Sequence, residues 1–169
     1  GTGAEVDVVL DLTVHDIDIV LNLVNSKVKH LDATGLPILT PHFDVANARI
    51  EFENGCRANL TASRVSQEKM RKTRIFQPDG TLTIDYLSQK AFSSKKVIRP
   101  EKNLSPEMRA EEVPVRKVDL LEEEIRSFLQ SVRDRKEAKV SGRDGRQVLE
   151  VALRIIRKIE ERFNHKTLG

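Results

Sequence analysis

The 169-residue chain has no tryptophan, one tyrosine and one cysteine. A single cysteine, Cys56, excludes an intrachain disulfide framework and any metal site built on a cysteine cluster. A reducing, cytoplasmic compartment is the expectation that follows. Aromatic residues make up 4% of the chain, too few to interleave with basic clusters as stacking platforms for bases. Excess charge of either sign is also scarce. Lys+Arg 29 against Asp+Glu 26 leaves +3, a weak field, and the clusters at Lys69–Arg74 and Lys95-Lys96 read as solvated faces. No nucleic-acid partner is expected. No apolar run approaches the ~20 residues of a membrane span. The opening Gly1-Thr2-Gly3-Ala4-Glu5 has neither the basic region nor the apolar stretch of a leader, so no membrane partner is expected either. A dinucleotide fingerprint is missing too. Gly1 and Gly3 supply only the first two glycines of G-x-G-x-x-G and no strand precedes them, so no cofactor is expected to bind within these residues.

What is there is a globular composition, 38% hydrophobic and 33% charged, at a length that suits a single domain over 1–169. Residues 1–25 are rich in apolar positions. Leu10, Val14, Ile17, Leu21 and Val24 follow a 3-to-4 step and predict a largely buried helix. Thr13 is its expected N-cap and Asn25-Ser26 its stop. Residues 26–98 predict a sheet. Ala46, Ala48, Ile50 and Phe52 alternate with polar neighbours, and Asn54-Gly55 predicts a type I′ hairpin returning through Cys56, Ala58, Leu60 and Ala62. Pro78-Asp79-Gly80 marks a second hairpin, leading into Leu82, Ile84 and Tyr86. Residues 99–117, with Pro100, Pro106 and Pro114, predict a surface loop. Residues 118–166 predict two helices with apolar stripes: Val118, Leu121, Ile125, Phe128, Leu129 and Val132, then Val148, Val151, Ala152, Ile155, Ile156, Ile159 and Phe163. Ser141 or Asp144 caps the second, and Gly142-Arg143-Asp144-Gly145 is the turn into it. The sum is an α+β fold, a mainly antiparallel open-faced sheet with helices packed on one face.

Chemistry concentrates in Leu10-Asp11-Leu12-Thr13-Val14-His15-Asp16-Ile17-Asp18. Asp11 and His15 are four apart, His15 and Asp18 three apart, spacings that bring side chains together on a helix. A carboxylate on one imidazole nitrogen fixes the tautomer and leaves the other nitrogen free as a base. Acidic residues flanking a histidine near a helix start also serve as a cap and a salt bridge, and on spacing alone both readings stay open. His15-Asp16, with His30 and His42 downstream, lacks a second ligand pair at metal-binding spacing, so no metal is expected. Arg64 and Lys69, at the end of a strand, are candidate contacts for an anionic substrate.

The stretch from Leu10 to Val24 resembles the substrate domain of the Gfo/Idh/MocA oxidoreductases. In these, an aspartate, three residues, a histidine and a further aspartate recur as Asp11, His15 and Asp18 do here. The resemblance continues through Ala46–Ser66, Arg74–Tyr86 and Val140–Ile155. It implies an NAD(P)-dependent enzyme acting on a sugar or nucleotide-linked sugar hydroxyl, with His15 and Asp11 catalytic and Asp18, Arg64 and Lys69 on the substrate side. It also implies that NAD or NADP is held mainly by an N-terminal Rossmann half that this sequence does not contain. The family's Glu-Lys-Pro lysine belongs to that half, and Pro100-Glu101-Lys102-Asn103 is not that motif. On this reading the chain is a C-terminal domain, inactive by itself, that forms a homodimer or tetramer through its sheet face. A non-catalytic assembly module, mating through Asn47, Asn59, Thr61, Ser63, Thr81 and Thr83, is the alternative.

Overall fold

The computed structural model describes residues 5–97 and 107–167, without the side chains of 165–167. It is an α+β protein in which every paired strand is antiparallel. A π turn (Val9–Thr13) leads into α1 (Val14–Val24). Seven strands follow: β1 (Val28–Leu36), β2 (Val45–Phe52), β3 (Arg57–Ser63), β4 (Lys72–Gln77), β5 (Gly80–Asp85), β6 (Lys90–Val97) and β7 (Glu107–Val113). Helices α2 (Leu120–Asp134) and α3 (Gly142–Thr167) close the chain. The strands form two sheets rather than one continuous sheet, β1-β2-β3 and β4-β5-β6-β7. The chain accordingly divides into two compact units, Gly1–Gln67 with Ser131–Gly169, and Glu68–Gln130. The break falls at Arg64–Arg71, where the apolar alternation that sustains a strand lapses.

The first unit holds the core. Successive cross-strand rows, Leu31–Ile50–Ala58, Ala33–Ala48–Leu60 and Gly35–Ala46–Ala62, point to one face. That face packs with Val8, Val9 and Ile17 from the N-terminal segment and with Val151, Ala152, Ile155, Ile156 and Ile159 from α3. Gly35 is needed where it stands. A Cβ there would lie 2.9 Å from Ile159 Cγ2 and 2.9 Å from the Val45 carbonyl oxygen, so α3 rests directly on the β1 backbone. Ser141 caps α3 reciprocally: its hydroxyl accepts from the Asp144 N–H at 3.4 Å, and Asp144 Oδ2 accepts from the Ser141 N–H at 2.7 Å. Ser141→Ala is expected to cost about 1 kcal/mol, read as a melting temperature lower by about 2–4 °C.

The second unit contains the four-stranded sheet. The β4–β5 hairpin closes through Pro78 and Asp79, with Gln77 opposite Gly80. Lys72 pairs with Asp85 at 3.2 Å, and the Arg71 guanidinium lies 5.5 Å from the Tyr86 ring centre. The Gln89 side-chain amide both donates to and accepts from the Val118 backbone, each at 2.9 Å.

Several sequence expectations need correction. Part of the expected 99–117 loop is the strand β7, which continues the ladder from β6; residues 98–106 lie outside the described residues, with Pro100, Pro106 and Lys102. Thr13 is not an N-cap. Its backbone is already helical and its side chain makes no capping hydrogen bond, because the π turn begins the helical run earlier. Asn25 does end α1, in the left-handed conformation at φ 45°. The Asn54-Gly55 hairpin forms, but not as type I′. Gly55 has φ 85° while Asn54 has no positive φ, and Phe52 bonds to Cys56 across a three-residue loop. That is the turn in which one glycine follows an ordinary type I bend. Val151, Ala152, Ile155, Ile156 and Ile159 of the α3 stripe are buried as expected and Val148 partly so, whereas Phe163 at its end and Leu121, Ile125, Phe128, Leu129 and Val132 of α2 are exposed. The six polar residues expected to share one mating face are divided between the two sheets.

Candidate active site

The π turn and α1 form one helical run that carries Asp11, His15 and Asp18 in the first unit. Its entry is clamped to the loop between β1 and β2. The Val8 N–H donates to the Phe43 carbonyl at 2.9 Å, and the Phe43 N–H donates to Asp7 Oδ1 at 2.8 Å. The Asp7 carbonyl then accepts from both Leu10 and Asp11. Val14 donates back to the Val9 carbonyl, five residues away, which widens this turn relative to an α-helix. His15 is exposed in the first turn of α1, and Asp11 is half-buried one turn before it.

Arg64, just past β3, reaches across to this entry. Its Nη2 donates to the Val6 carbonyl at 2.7 Å and lies 3.6 Å from Asp11 Oδ2, while Nη1 lies 3.8 Å from Asp44 Oδ1. Its side chain is only 14% exposed, and its charge is turned toward Asp11 and Asp44. Asp44 is the residue sequence reasoning missed. It is fully buried. Its Oδ2 accepts the N–H groups of Ile38, Leu39 and Thr40 at 2.7, 2.6 and 2.9 Å, and Oδ1 accepts the Thr40 hydroxyl at 2.9 Å. Burial works to raise the Asp44 pKa, but the three backbone donors and the Thr40 hydroxyl outweigh it and hold the carboxyl far below the usual carboxylate range. Three consecutive N–H groups closing on one oxygen form an anion nest. The only advance sign was an Asp two residues beyond the Pro41-His42 turn.

The structure thus brings Asp11 to Arg64. No hydrogen bond or ion pair joins Asp11 to His15 among the described residues. Asp18 accepts the Asn22 side-chain amide at 3.0 Å, one turn further along α1. Lys69 is exposed and belongs to the second unit. His30 lies in β1 and His42 in the loop after Pro41. Among the described residues no group of three or more His, Cys, Asp or Glu side chains is placed to hold a metal ion, and no helix is long and apolar enough to cross a membrane.

Residues 5–83 match the GFO/IDH/MocA C-terminal domain. UDP-N-acetylglucosamine 3-dehydrogenase of Acidithiobacillus ferrooxidans is 33% identical over 151 residues, covering 89% of this chain and 48% of that protein. Its solved structure superposes with a TM-score of 0.83 at 32% identity, over 92% of this chain and 49% of the other. An NAD-binding protein from Listeria innocua gives 0.72 at 24% identity, over 92% and 46%. Levoglucosan dehydrogenase in complex with NADH gives 0.73 at 16% identity, over 89% and 47%; these last two establish likeness of fold. The chain spans about half the length of the relatives it matches.

Proposed function

The chain belongs to the Gfo/Idh/MocA family, and from that premise we infer that it is the substrate-side, C-terminal domain of an NAD(P)-dependent dehydrogenase acting on a sugar or nucleotide-linked sugar hydroxyl. The observation that carries this reading is the exposed His15 imidazole, one turn beyond an anchored Asp11 on a continuous helical run. The imidazole accepts the proton of the substrate hydroxyl during oxidation and returns it during reduction. Asp11 supplies the carboxylate that orients it, by a side-chain rotation that brings its second oxygen to the ring. Asp18, held by Asn22, anchors the helix, and Lys69 remains a candidate contact for an anionic substrate group. A nucleotide-linked sugar is the favoured class because a relative 33% identical over 151 residues is a UDP-N-acetylglucosamine 3-dehydrogenase.

Among the described residues every strand pair is antiparallel, so the crevice at the carboxyl ends of parallel strands does not arise. NAD or NADP, which supplies the hydride chemistry, is therefore assigned to polypeptide outside this chain. Pairing of copies through the outward sheet residues Asn47, Asn59 and Thr61, all exposed, completes the proposal as a homodimer or tetramer.

The test is direct. A longer protein containing this chain is expected to reduce NAD or NADP when given UDP-N-acetylglucosamine. The 169-residue chain alone should neither do so nor quench NAD(P)H fluorescence. Saturable quenching by the chain alone would overturn the division of labour, and a longer protein inert toward every sugar nucleotide would overturn the substrate class.

A further inference from the structure

We propose that Arg64 is a positioning residue for the Asp11–His15 pair, gripped from behind by the buried Asp44 carboxylate; the proposal rests on the acid–base reading given above. Three observations converge on it. Asp44 is immobilised by its nest of Ile38, Leu39 and Thr40 N–H groups and by the Thr40 hydroxyl. Arg64 is tied to it twice, by the backbone bond from the Arg64 N–H to the Asp44 carbonyl at 3.0 Å and by the guanidinium–carboxylate approach at 3.8 Å. From this base a single nitrogen, Nη2, meets both the Val6 carbonyl and Asp11 Oδ2.

The geometry is an order of support running from the core outward: nest, Asp44, Arg64, Asp11, His15. Arg64 engages one oxygen of Asp11, which leaves the other available for an imidazole four residues on. The Val6 contact fixes the chain just before the π turn, so Arg64 holds the turn at its start and in its middle. Nε and Nη1 of Arg64 are buried and make no hydrogen bond. A guanidinium kept in that state is retained for its charge and its fork, not for a full set of hydrogen bonds. Lysine keeps the charge but not the planar fork, and cannot serve the Val6 carbonyl, Asp11 and Asp44 from two separate nitrogens.

The experiment is a kinetic double-mutant cycle in an active enzyme containing this chain, with Arg64→Lys, Arg64→Met, Asp11→Asn and the Arg64→Lys/Asp11→Asn pair. Misplacement of a catalytic group at this distance is worth about 10²-fold. Arg64→Lys is expected to lower kcat by about that factor, with KM for the sugar nucleotide nearly unchanged. In the Asp11→Asn background the same change should lower kcat little further, because its effect is transmitted through Asp11. Arg64→Met removes the charge as well as the fork and should lower kcat at least as far as Arg64→Lys, again with KM nearly unchanged. Losses that multiply in the double variant, or a drop in thermal stability with kcat per folded molecule unchanged, would overturn the proposal. If Arg64→Met does not fold, Arg64→Lys and Asp11→Asn still close the cycle. Retention of turnover by His15→Ala would instead defeat the acid–base reading, and so the two failures are told apart.

Discussion

In an enzyme carrying this chain, His15→Ala should lower kcat by about 10²–10⁴-fold, the range typical of a positioned general acid–base, with KM for the sugar changed far less. The split follows from what the imidazole is asked to do. A group that takes up a proton as the transition state forms contributes little to ground-state binding, so its loss is concentrated in kcat. The exposure of His15 adds a second readout. The space vacated by alanine lies at an exposed position, and imidazole added to the buffer should restore part of the lost rate. An unchanged turnover number would refute the role. A loss confined to KM would move His15 from proton transfer to substrate binding.

The second large effect concerns acid stability and falls on Asp44. Its burial opposes ionisation, yet the N–H groups of Thr40, Ile38 and Leu39 and the Thr40 hydroxyl hold the folded-state pKa well below the ordinary carboxylate value of about 3.9. A depressed folded-state pKa contributes stability that is fully present above the unfolded-state value. That contribution is withdrawn as pH falls from there toward the folded-state value. Urea midpoints should therefore be level near neutrality and fall steeply once the pH drops below about 4. Asp44→Asn should be less stable at neutral pH, since an amide offers one oxygen where the nest and Arg64 use two. Its acid limb should also be shallower than the parent's. Glu51, Asp85 and Asp144 are shifted the same way by Arg57, by Ser88 and Lys72, and by Ser141, so the informative quantity is the difference between parent and variant. An acid limb of equal steepness in both would dismiss Asp44 as its source.

Much of this fold was legible because it obeys simple periodicities. The two-residue alternation through Ala46, Ala48, Ile50 and Phe52 became the buried face of β2, and the stripe from Val151 to Ile159 became the α3 contact. Both surfaces belong to one hydrophobic core, so local pattern and packing agree. Where tertiary context decides, pattern failed. The α2 stripe has the same spacing as α3 but leaves its large apolar residues exposed. Thr13 has the right residue type for a cap, yet the Asp7–Phe43 clamp starts the helical run before it. In the candidate site, the order of Asp11, His15 and Asp18 could be read directly. Asp44 could not, because its importance comes from backbone donors and a guanidinium that no spacing rule brings to it. The same blindness made Arg64 look like a strand-end cation facing outward, when its charge is turned toward two carboxylates of its own chain.

The widened turn at Val9–Thr13 bears on how roles are transferred between homologues. A π turn fits one more residue into a helical circuit than an α-helix does. Aligned against a protein whose helix is uninterrupted there, this stretch demands a one-residue gap, and the similar leucines at 10 and 12 give substitution scores little basis for placing it. A gap on the wrong side of Asp11 would match that carboxylate to a neighbour on a different helical face while leaving His15 correctly paired. Structural superposition, anchored on the Arg64 guanidinium, is the safer guide to which acid in a homologue answers to Asp11.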